Sequence, residues 1–418
     1  MLDFGKENCP TAALEPLLQK LKTGLSIDDL QSVISIVSAL LTQSIHQLAV
    51  IEHDLFFQFM DIIGDNHTLL SYPDLAIEDK QSLFQANSTL MNIAGDISWR
   101  EEFLLKYPID GPAMSRVIQR LDSPHADRSH ETIRVCLVLG NVARTREVCK
   151  RLVCEFAVHK SLFRVVGGAA ARHQESKKEE GGQVREEGAG STFLSIIHCA
   201  LGVVRNFAVA EELQDVLGRD GAFDIACEVL ALSGIGVEDA RHVACMVCRM
   251  LCAKSAPNST LATTSIRDGE LSYISRIIEI YPNLDQDLPT KTEIGRTVVG
   301  VLRSLAHNTT TTATIHRPGI ARPLWDMLLQ TKWPVIRTEG SFGLALLARS
   351  GDGGVAEVVR EWGDAEMECL KELDGRDVEN IAGMVVKVRE SAACSESIRG
   401  SRLVEEFMRT ALKGTAST

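Results

Sequence analysis

One apolar helical segment recurs along this sequence, and the recurrence restricts the chain to architectures built from repeated units. The segment CLVLGNVARTREVCKRLV carries Asn141 in its most apolar part. An asparagine there lowers helix propensity and adds an amide that needs hydrogen-bond partners. When the segments are aligned on their apolar residues, the same position falls at Asn92, Asn141, Asn206, Arg249, Ser304 and Leu346, at intervals of 49, 65, 43, 55 and 42 residues.

The intervals indicate a repeated helical unit with insertions. The shortest intervals lie near the ~40–47 residues of HEAT or armadillo units. The longest interval contains ARHQESKKEEGGQVREEGAGS, residues 171–191, which is charged and glycine-rich and predicts a flexible insertion. In the interval of 55 residues, KSAPNSTLATTS and YPNLDQDLPTKT predict loops that flank a helix.

The composition favours a helical protein that binds other proteins. Hydrophobic residues make up 45% of the chain and aromatic residues only 5%, so the alternation typical of strands is rare. The formal net charge of -12 argues against a nucleic-acid partner and favours basic partners. No apolar run is long enough to predict a transmembrane segment. The scattered cysteines and the absence of a signal-peptide pattern predict an intracellular protein, in the cytoplasm and also compatible with the nucleus.

No motif in the sequence indicates catalysis or a cofactor. The HExxH, GxSxG and Walker A patterns are absent. Cys245, Cys248 and Cys252 have helical spacing, but no second CxxC follows, so we interpret them as buried thiols and not as metal ligands. We therefore expect a protein that is not an enzyme and that has no cofactor and no metal site.

Two sets of segments resemble known families. The segment WPVIRTEGSFGLALLARSGDGG, which begins beside Pro334, is followed by VAEVVREWG and AEMECLKEL. One long, proline-led helix with two shorter helices after it resembles the armadillo repeat. The segments LVLGNVARTREVCKRLV and ALGVVRNFAVAEELQDVL resemble the small GTPase GDP-dissociation stimulator (SmgGDS) family. This second resemblance is carried by residues 132–155 and 196–218, with weaker support at 294–308.

The armadillo resemblance implies an all-α fold, a right-handed superhelical solenoid. It covers residues from about 78 to about 412 and implies about seven or eight units. We predict an N-terminal helical cap over 1–62, armadillo repeats over 63–170, the flexible insertion over 171–191 and further repeats over 192–414. A cap is expected because a solenoid must cover its terminal core.

The same resemblance points to a candidate partner-binding surface. In stacked armadillo units the third helices line a groove, and the asparagines there either bind the backbone of a partner or cap the adjacent repeat. The neighbouring arginines either project from the groove or pair with acidic neighbours, and the acidic residues that follow either cluster or remain solvated surface. The candidates are Asn92, Asn141 and Asn206, with Arg144, Arg205, Asp96, Glu147, Glu211 and Glu212.

The SmgGDS resemblance implies a function that needs no covalent chemistry. It implies a guanine nucleotide exchange factor, or chaperone, for Rho- and Ras-type small GTPases with polybasic, prenylated C-termini. Acidic residues near the third helices would speed the encounter with a basic tail. The alternative is an armadillo adaptor that binds a peptide or protein and has no effect on nucleotide. A regular asparagine ladder would favour this alternative, and the loss of asparagine in the later repeats disfavours it.

Overall fold

The computed structural model describes most of the chain from residue 100 onward. The described residues are 51, 56, 57, 60, 100–179, 189–264, 271–284, 288–306, 315–330, 332–369, 372–373, 375–391, 405, 407 and 409. Every regular element among them is a helix. The chain divides into two compact units, a first unit over Met1–Phe207 and a second over Ala208–Thr418.

In the first unit the helices form two triplets, and the third helix of each triplet carries many buried apolar residues. The first triplet consists of α1 (Arg100–Lys106), α2 (Pro112–Arg120) and α3 (His130–Val142). The second consists of α4 (Arg146–Lys150), which continues into a π-helical turn over Arg151–Glu155, then α5 (Val158–Glu179) and α6 (Ala189–Ala208).

The second unit repeats this order. Its triplets are α7 (Glu211–Arg219), α8 (Ala222–Leu230) and α9 (Glu238–Cys252), then α10 (Ala256–Thr263), α11 (Tyr273–Ile280) and α12 (Leu288–Leu305). A partly described triplet holds α13 (Arg322–Leu328) and α14 (Pro334–Arg349), and the last holds α15 (Asp352–Arg360), α16 (Asp364–Cys369) and α17 (Gly375–Glu390). The third helices α9, α12, α14 and α17 pack side by side in this order.

These triplets confirm the all-α, armadillo-type fold. Five of the six aligned sequence segments lie on third helices, and Asn92 lies outside the described residues. Pro334 opens α14 in its first turn, where a proline costs no intrahelical hydrogen bond. Because the repeating unit is visible in the helix order itself, the period inferred from the sequence corresponds to a real structural period.

Close backbone contact inside a repeat depends on glycine. Gly340 of α14 lies so near α13 that a Cβ atom there would stand 2.7 Å from the Leu328 nitrogen and 2.8 Å from the Leu324 carbonyl oxygen. Beside this contact Trp325 is fully buried, and its indole N–H donates to the Val358 carbonyl at 3.3 Å. The core of the repeat therefore combines a large aromatic residue with a helix crossing that only glycine permits.

One of the predicted loops is a helix. The segment 254–265 contains α10, so its prediction as a loop is wrong. The Ser255 hydroxyl accepts a hydrogen bond from the Asn258 N–H, and Pro257 lies in the first turn, which together start a helix in a polar segment. The segment 281–292 was also predicted as a loop, but it holds a 3-10 turn over Tyr281–Asn283 and the start of α12 at Leu288.

The limits of the other predicted regions are only partly visible. Residues 171–179 continue α5 and residues 189–191 begin α6, so the predicted insertion 171–191 begins and ends inside helices. Residues 180–188 lie outside the described residues, and a flexible insertion stays a prediction for them. Of the predicted cap 1–62, the structure describes four residues. Among these, Phe56 packs edge-on against Phe103 of α1, with ring centroids 4.8 Å apart.

Candidate functional site

Five of the six third helices, all except α14, expose two adjacent side chains at the repeated position near their C-terminal ends. In α3, α6 and α9 the burial pattern there is two buried residues, two at least partly exposed and two buried again. This pattern places Met250 of α9, and not Arg249, at the position of Asn141 and Asn206. It also adds a position on α17 that the sequence alignment missed. The residues at the repeated position are Asn141, Asn206, Met250, Ser304, Leu346 and Lys387.

The asparagines of α3 and α6 each hold an arginine. The Arg144 guanidinium donates to Asn141 Oδ1 at 3.0 Å, and the Arg205 guanidinium donates to Asn206 Oδ1 at 3.2 Å. Arg144 is exposed, whereas Arg205 and both asparagines are half-buried. Asn206 Nδ2 also donates to the Gly140 carbonyl at 2.8 Å, which brings the four candidate side chains to neighbouring helices. The structure thus groups these four predicted residues in one place.

The amide of Asn206 has a structural role in this arrangement. Gly140 lies in the last turn of α3, where carbonyl groups have no partner within the helix. Ser304 does the same in the second unit, because its hydroxyl donates to the carbonyl of Cys252, the last residue of α9, at 2.9 Å. Asn206 and Ser304 therefore each cap the preceding third helix, which is one of the two roles considered for the asparagines.

We expect Asn206→Ala to lower the free energy of unfolding of the first unit by about 1 kcal/mol, because a partly buried carbonyl loses its donor. Chemical denaturation followed by circular dichroism measures this loss. Asn206→Ser is the matched control, since serine makes the equivalent hydrogen bond on α12. The serine variant should lose less than the alanine variant. Equal losses would show that the hydrogen bond does not stabilise the unit.

The acidic candidates lie in the first turns of the helices that follow the third helices. Glu147 lies in the first turn of α4, and Glu211 and Glu212 lie in the first turn of α7, where negative charge is favoured by the helix dipole. All three are exposed, and Glu211 pairs with Lys254 at 2.5 Å. Glu147 belongs to the first unit and the other two belong to the second. Asp96 lies outside the described residues.

A network of ion pairs crosses the third helices of the second unit, and sequence reasoning missed it. Glu293 of α12, whose side chain is 8% exposed, contacts Arg249 of α9 at 2.5 Å and Arg296 of its own helix at 3.5 Å. Arg296 reaches Glu339 of α14 at 2.6 Å, which extends the network to a third helix. In the sequence, the signal is that basic and acidic residues alternate along the third helices, with Arg249 on α9, Glu293 and Arg296 on α12 and Glu339 on α14. It becomes visible only once the register is known.

The three helically spaced cysteines are packed inside the second unit. Cys245, Cys248 and Cys252 are all 0% exposed, and burial raises the pKa of Cys252 to about 12. Such thiols remain protonated and pack as small apolar groups. Within the described ranges, no three His, Cys, Asp or Glu side chains are grouped so that they could hold a metal ion. None of the described helices is long and apolar enough to cross a membrane.

Comparisons with known proteins give only distant similarities. No family model matches the sequence, and no curated protein matches it significantly. Similar solved structures include one from a study of a phosphorylation switch between cadherin and beta-catenin, with 14% identity over 97% of this chain and 70% of that one and a TM-score of 0.48. Uso1-2 is 11% identical, over 96% of this chain and 83% of that one, with a TM-score of 0.29. UNC-45 from Drosophila melanogaster is 9% identical, over 97% of this chain and 63% of that one, with a TM-score of 0.24. The armadillo-type assignment rests on the helix triplets of the chain itself.

Proposed function

We propose that this chain is a binding protein for small GTPases of the Rho and Ras type and that it promotes the release of GDP from them. It would act without covalent chemistry, as an exchange factor or chaperone and not as a bond-breaking enzyme. The cytoplasm, where such GTPases meet their regulators, is the proposed location.

The observation that carries this proposal is the direct pairing of the two segments that resemble the SmgGDS family. These segments, 132–155 and 196–218, contain the third helices α3 and α6, and the Asn206 amide joins the two helices at the Gly140 carbonyl. Around this joint lie the side chains of Asn141, Arg144 and Arg205. The resembling parts of α3 and α6 thus lie next to each other, which supports a shared partner-binding surface on these two helices.

Exposed acidic residues within each unit are compatible with capture of a basic tail. An exposed ion pair such as Glu211–Lys254 contributes only about 0–1 kcal/mol to the stability of the fold. A lysine-rich segment could therefore displace Lys254 from Glu211 with little loss of stability. Glu147 and Glu212 supply further exposed carboxylates at helix starts. Capture of a tail by such groups would weaken as salt screens them.

Release of GDP requires that the chain bind the nucleotide-free GTPase more tightly than the GDP-bound form. A ligand shifts an equilibrium only by its difference in affinity for the two states. A polar patch on helices that are packed side by side suits this task, because it offers a fixed surface to one conformation of the partner.

The test is release of a fluorescent GDP analogue from a panel of small GTPases with basic tails, prenylated and unprenylated, at low and moderate salt. We expect faster release from at least one member, a smaller effect at moderate salt, and loss of most of the effect in the Arg144→Ala/Arg205→Ala variant. Arg164→Ala/Arg219→Ala removes two exposed arginines that lie outside the patch and is the matched control. No binding and no acceleration with any GTPase would overturn the proposal.

An armadillo adaptor without exchange activity is the second candidate. It is favoured by the role of Asn206, whose amide is engaged inside the protein at 2.8 Å instead of facing a partner. The release assay separates the two candidates, since an adaptor would bind a GTPase or another protein and leave the release rate unchanged.

A further inference from the structure

Exposed apolar side chains gather at the starts of the third helices in the second unit. Among the described residues, nine large apolar side chains are exposed, and four of them lie just before a third helix or in its first turn. These four, which we call the apolar edge, are Ile235 before α9, Leu288 at the start of α12, and Trp333 and Val335 at the start of α14. Single exposed apolar residues are ordinary, whereas a group of them points to an interaction surface.

Contacts between the third helices place these residues at one end of the helices. Arg296 of α12 pairs with Glu339 of α14 at 2.6 Å, and a Cβ atom on Gly343 of α14 would stand 2.8 Å from Cγ2 of Val299 of α12. The contacts follow the same order along both helices, so α12 and α14 run in the same direction. The same order relates α9 to α12, in the pairs Arg249–Glu293 and Cys252–Ser304. The starts of the three helices therefore lie at a common edge of the second unit.

The loop before α9 presents Ile235 on a defined turn. Gly234 and Gly236, on either side of it, have φ angles of 114° and 81°, in the left-handed region that favours glycine. Leu232 and Val237 are 0% and 1% exposed, so buried side chains anchor both ends of the turn. Ile235 itself is 97% exposed and contributes nothing to the core, so the stability of the fold does not explain an isoleucine there.

Trp333 is presented by the first turn of α14. Its carbonyl accepts a hydrogen bond from the Arg337 N–H at 3.1 Å, which holds its backbone, while its side chain is 60% exposed. The exposed Lys332 comes directly before it. A tryptophan beside a lysine suits the boundary between water and lipid, because the indole joins an apolar ring system to a polar N–H and the ammonium can contact headgroup phosphates.

The way these side chains are presented favours a lipid surface over a protein partner. They come from three separate segments of the chain, and Ile235 is too exposed to belong to the wall of a groove. A protein partner would need a fitted pocket for each protruding side chain. Fluid lipid chains surround a protruding apolar side chain without such fitting, as they surround the apolar face of an interfacial helix.

We propose that the apolar edge docks on the surface of a phospholipid bilayer and inserts its side chains at the boundary between headgroups and acyl chains. Docking of this kind is reversible, because a few apolar side chains give far less binding than a spanning helix. The apolar edge belongs to the second unit and does not include the partner-binding surface proposed on α3 and α6, so the two proposals stand independently.

Flotation of the full chain with extruded vesicles tests this proposal. The vesicles consist of phosphatidylcholine alone or of phosphatidylcholine with phosphatidylserine, at low and high salt. Salt does not screen apolar insertion, and a chain with a net charge of -12 is not attracted to an anionic bilayer as a whole. We therefore expect binding to phosphatidylcholine vesicles that persists at high salt. Ile235→Ser/Trp333→Ser should weaken the binding about tenfold, because it removes two of the four apolar side chains.

Tryptophan fluorescence reports the insertion itself. Adding phosphatidylcholine vesicles should shift the emission of the unmodified chain to shorter wavelength, because the exposed Trp333 side chain leaves water. The Ile235→Ser/Trp333→Ser variant should show no such shift. Binding that needs phosphatidylserine and disappears at high salt would overturn the proposal and show attraction by charge.

The control variant is Leu105→Ser/Val386→Ser, which removes two exposed apolar side chains outside the apolar edge. Leu105 lies in the first unit, and Val386 lies in the C-terminal half of α17. This variant should bind the vesicles as the unmodified chain does. Equal weakening by both variants, or no binding of the unmodified chain to any vesicle, would overturn the proposal. Because no GTPase is present, failure here leaves the proposed exchange function untouched, and failure of the release assay leaves the apolar edge untouched.

Discussion

Replacing Glu293 with alanine should lower the free energy of unfolding of the second unit by about 3 kcal/mol. Removal of one partner of a buried ion pair leaves the other charge uncompensated, which typically costs about 3–5 kcal/mol. The lower end applies here because the side chains of Arg249 and Arg296 keep about a quarter of their surface exposed. Thermal unfolding followed by circular dichroism should show a midpoint lowered by several degrees.

The exposed Glu211–Lys254 pair provides the comparison for this result. Both side chains are more than half exposed, so Glu211→Ala should change the free energy of unfolding by less than about 1 kcal/mol. If Glu293→Ala and Glu211→Ala lowered the free energy of unfolding equally, the burial of Glu293 would not increase the contribution of its ion pairs to stability. The third helices of the second unit would then be held in register by apolar packing alone.

Replacing Gly340 with alanine should lower the free energy of unfolding by about 2 kcal/mol. The added methyl group would stand 2.7 Å from a backbone nitrogen and 2.8 Å from a backbone oxygen of α13, and backbone atoms cannot swing aside as a side chain can. Overpacking of this kind typically costs about 1–3 kcal/mol. Urea unfolding measures the loss.

Gly202 is the matched control, because it also lies inside a third helix but has nothing within 4 Å of its would-be Cβ atom. Gly202→Ala should therefore raise the free energy of unfolding by about 0.5–1 kcal/mol through the higher helix propensity of alanine. The opposite signs are the informative result. A gain in stability at both positions would contradict the tight crossing of α13 and α14.

The repeat could be predicted from the sequence because its signal is carried by many residues at once. The apolar frame around Asn141 and Asn206 recurs with a period close to that of a three-helix unit, and the structure places both on third helices. A single asparagine would not have allowed this, since an isolated polar residue in an apolar helix has many explanations.

Features set by a few atoms were harder to predict. The helix α10 was missed because its segment is rich in serine, threonine and asparagine, and only the Ser255 cap and Pro257 reveal its start. The alignment at Arg249 was one residue out of register, because Met250 is itself apolar and does not stand out from the apolar residues on which the segments were aligned. The burial pattern, with Arg249 and Met250 both half-buried between two pairs of buried residues, gives the register.

The site residues were predicted as individuals, but their partners could not be. That Arg144 and Arg205 would lie beside the asparagines followed from the sequence, whereas the bond from Asn206 to Gly140 joins residues 66 positions apart. The role of Glu293 depends on contacts with a helix of another repeat. Contacts between repeats depend on which residues of neighbouring helices face each other, and an error of one residue in the alignment changes every such pair.

The central claim is the preference for a nucleotide-free GTPase, and affinity measurements test it most directly. For any GTPase whose GDP release the chain accelerates, the dissociation constants for the nucleotide-free and GDP-bound forms should be measured by titration calorimetry. We expect the nucleotide-free form to bind at least about 100-fold more tightly, a difference of about 2.7 kcal/mol. Equal affinities would contradict the account, because a protein that binds both forms equally cannot shift the exchange equilibrium.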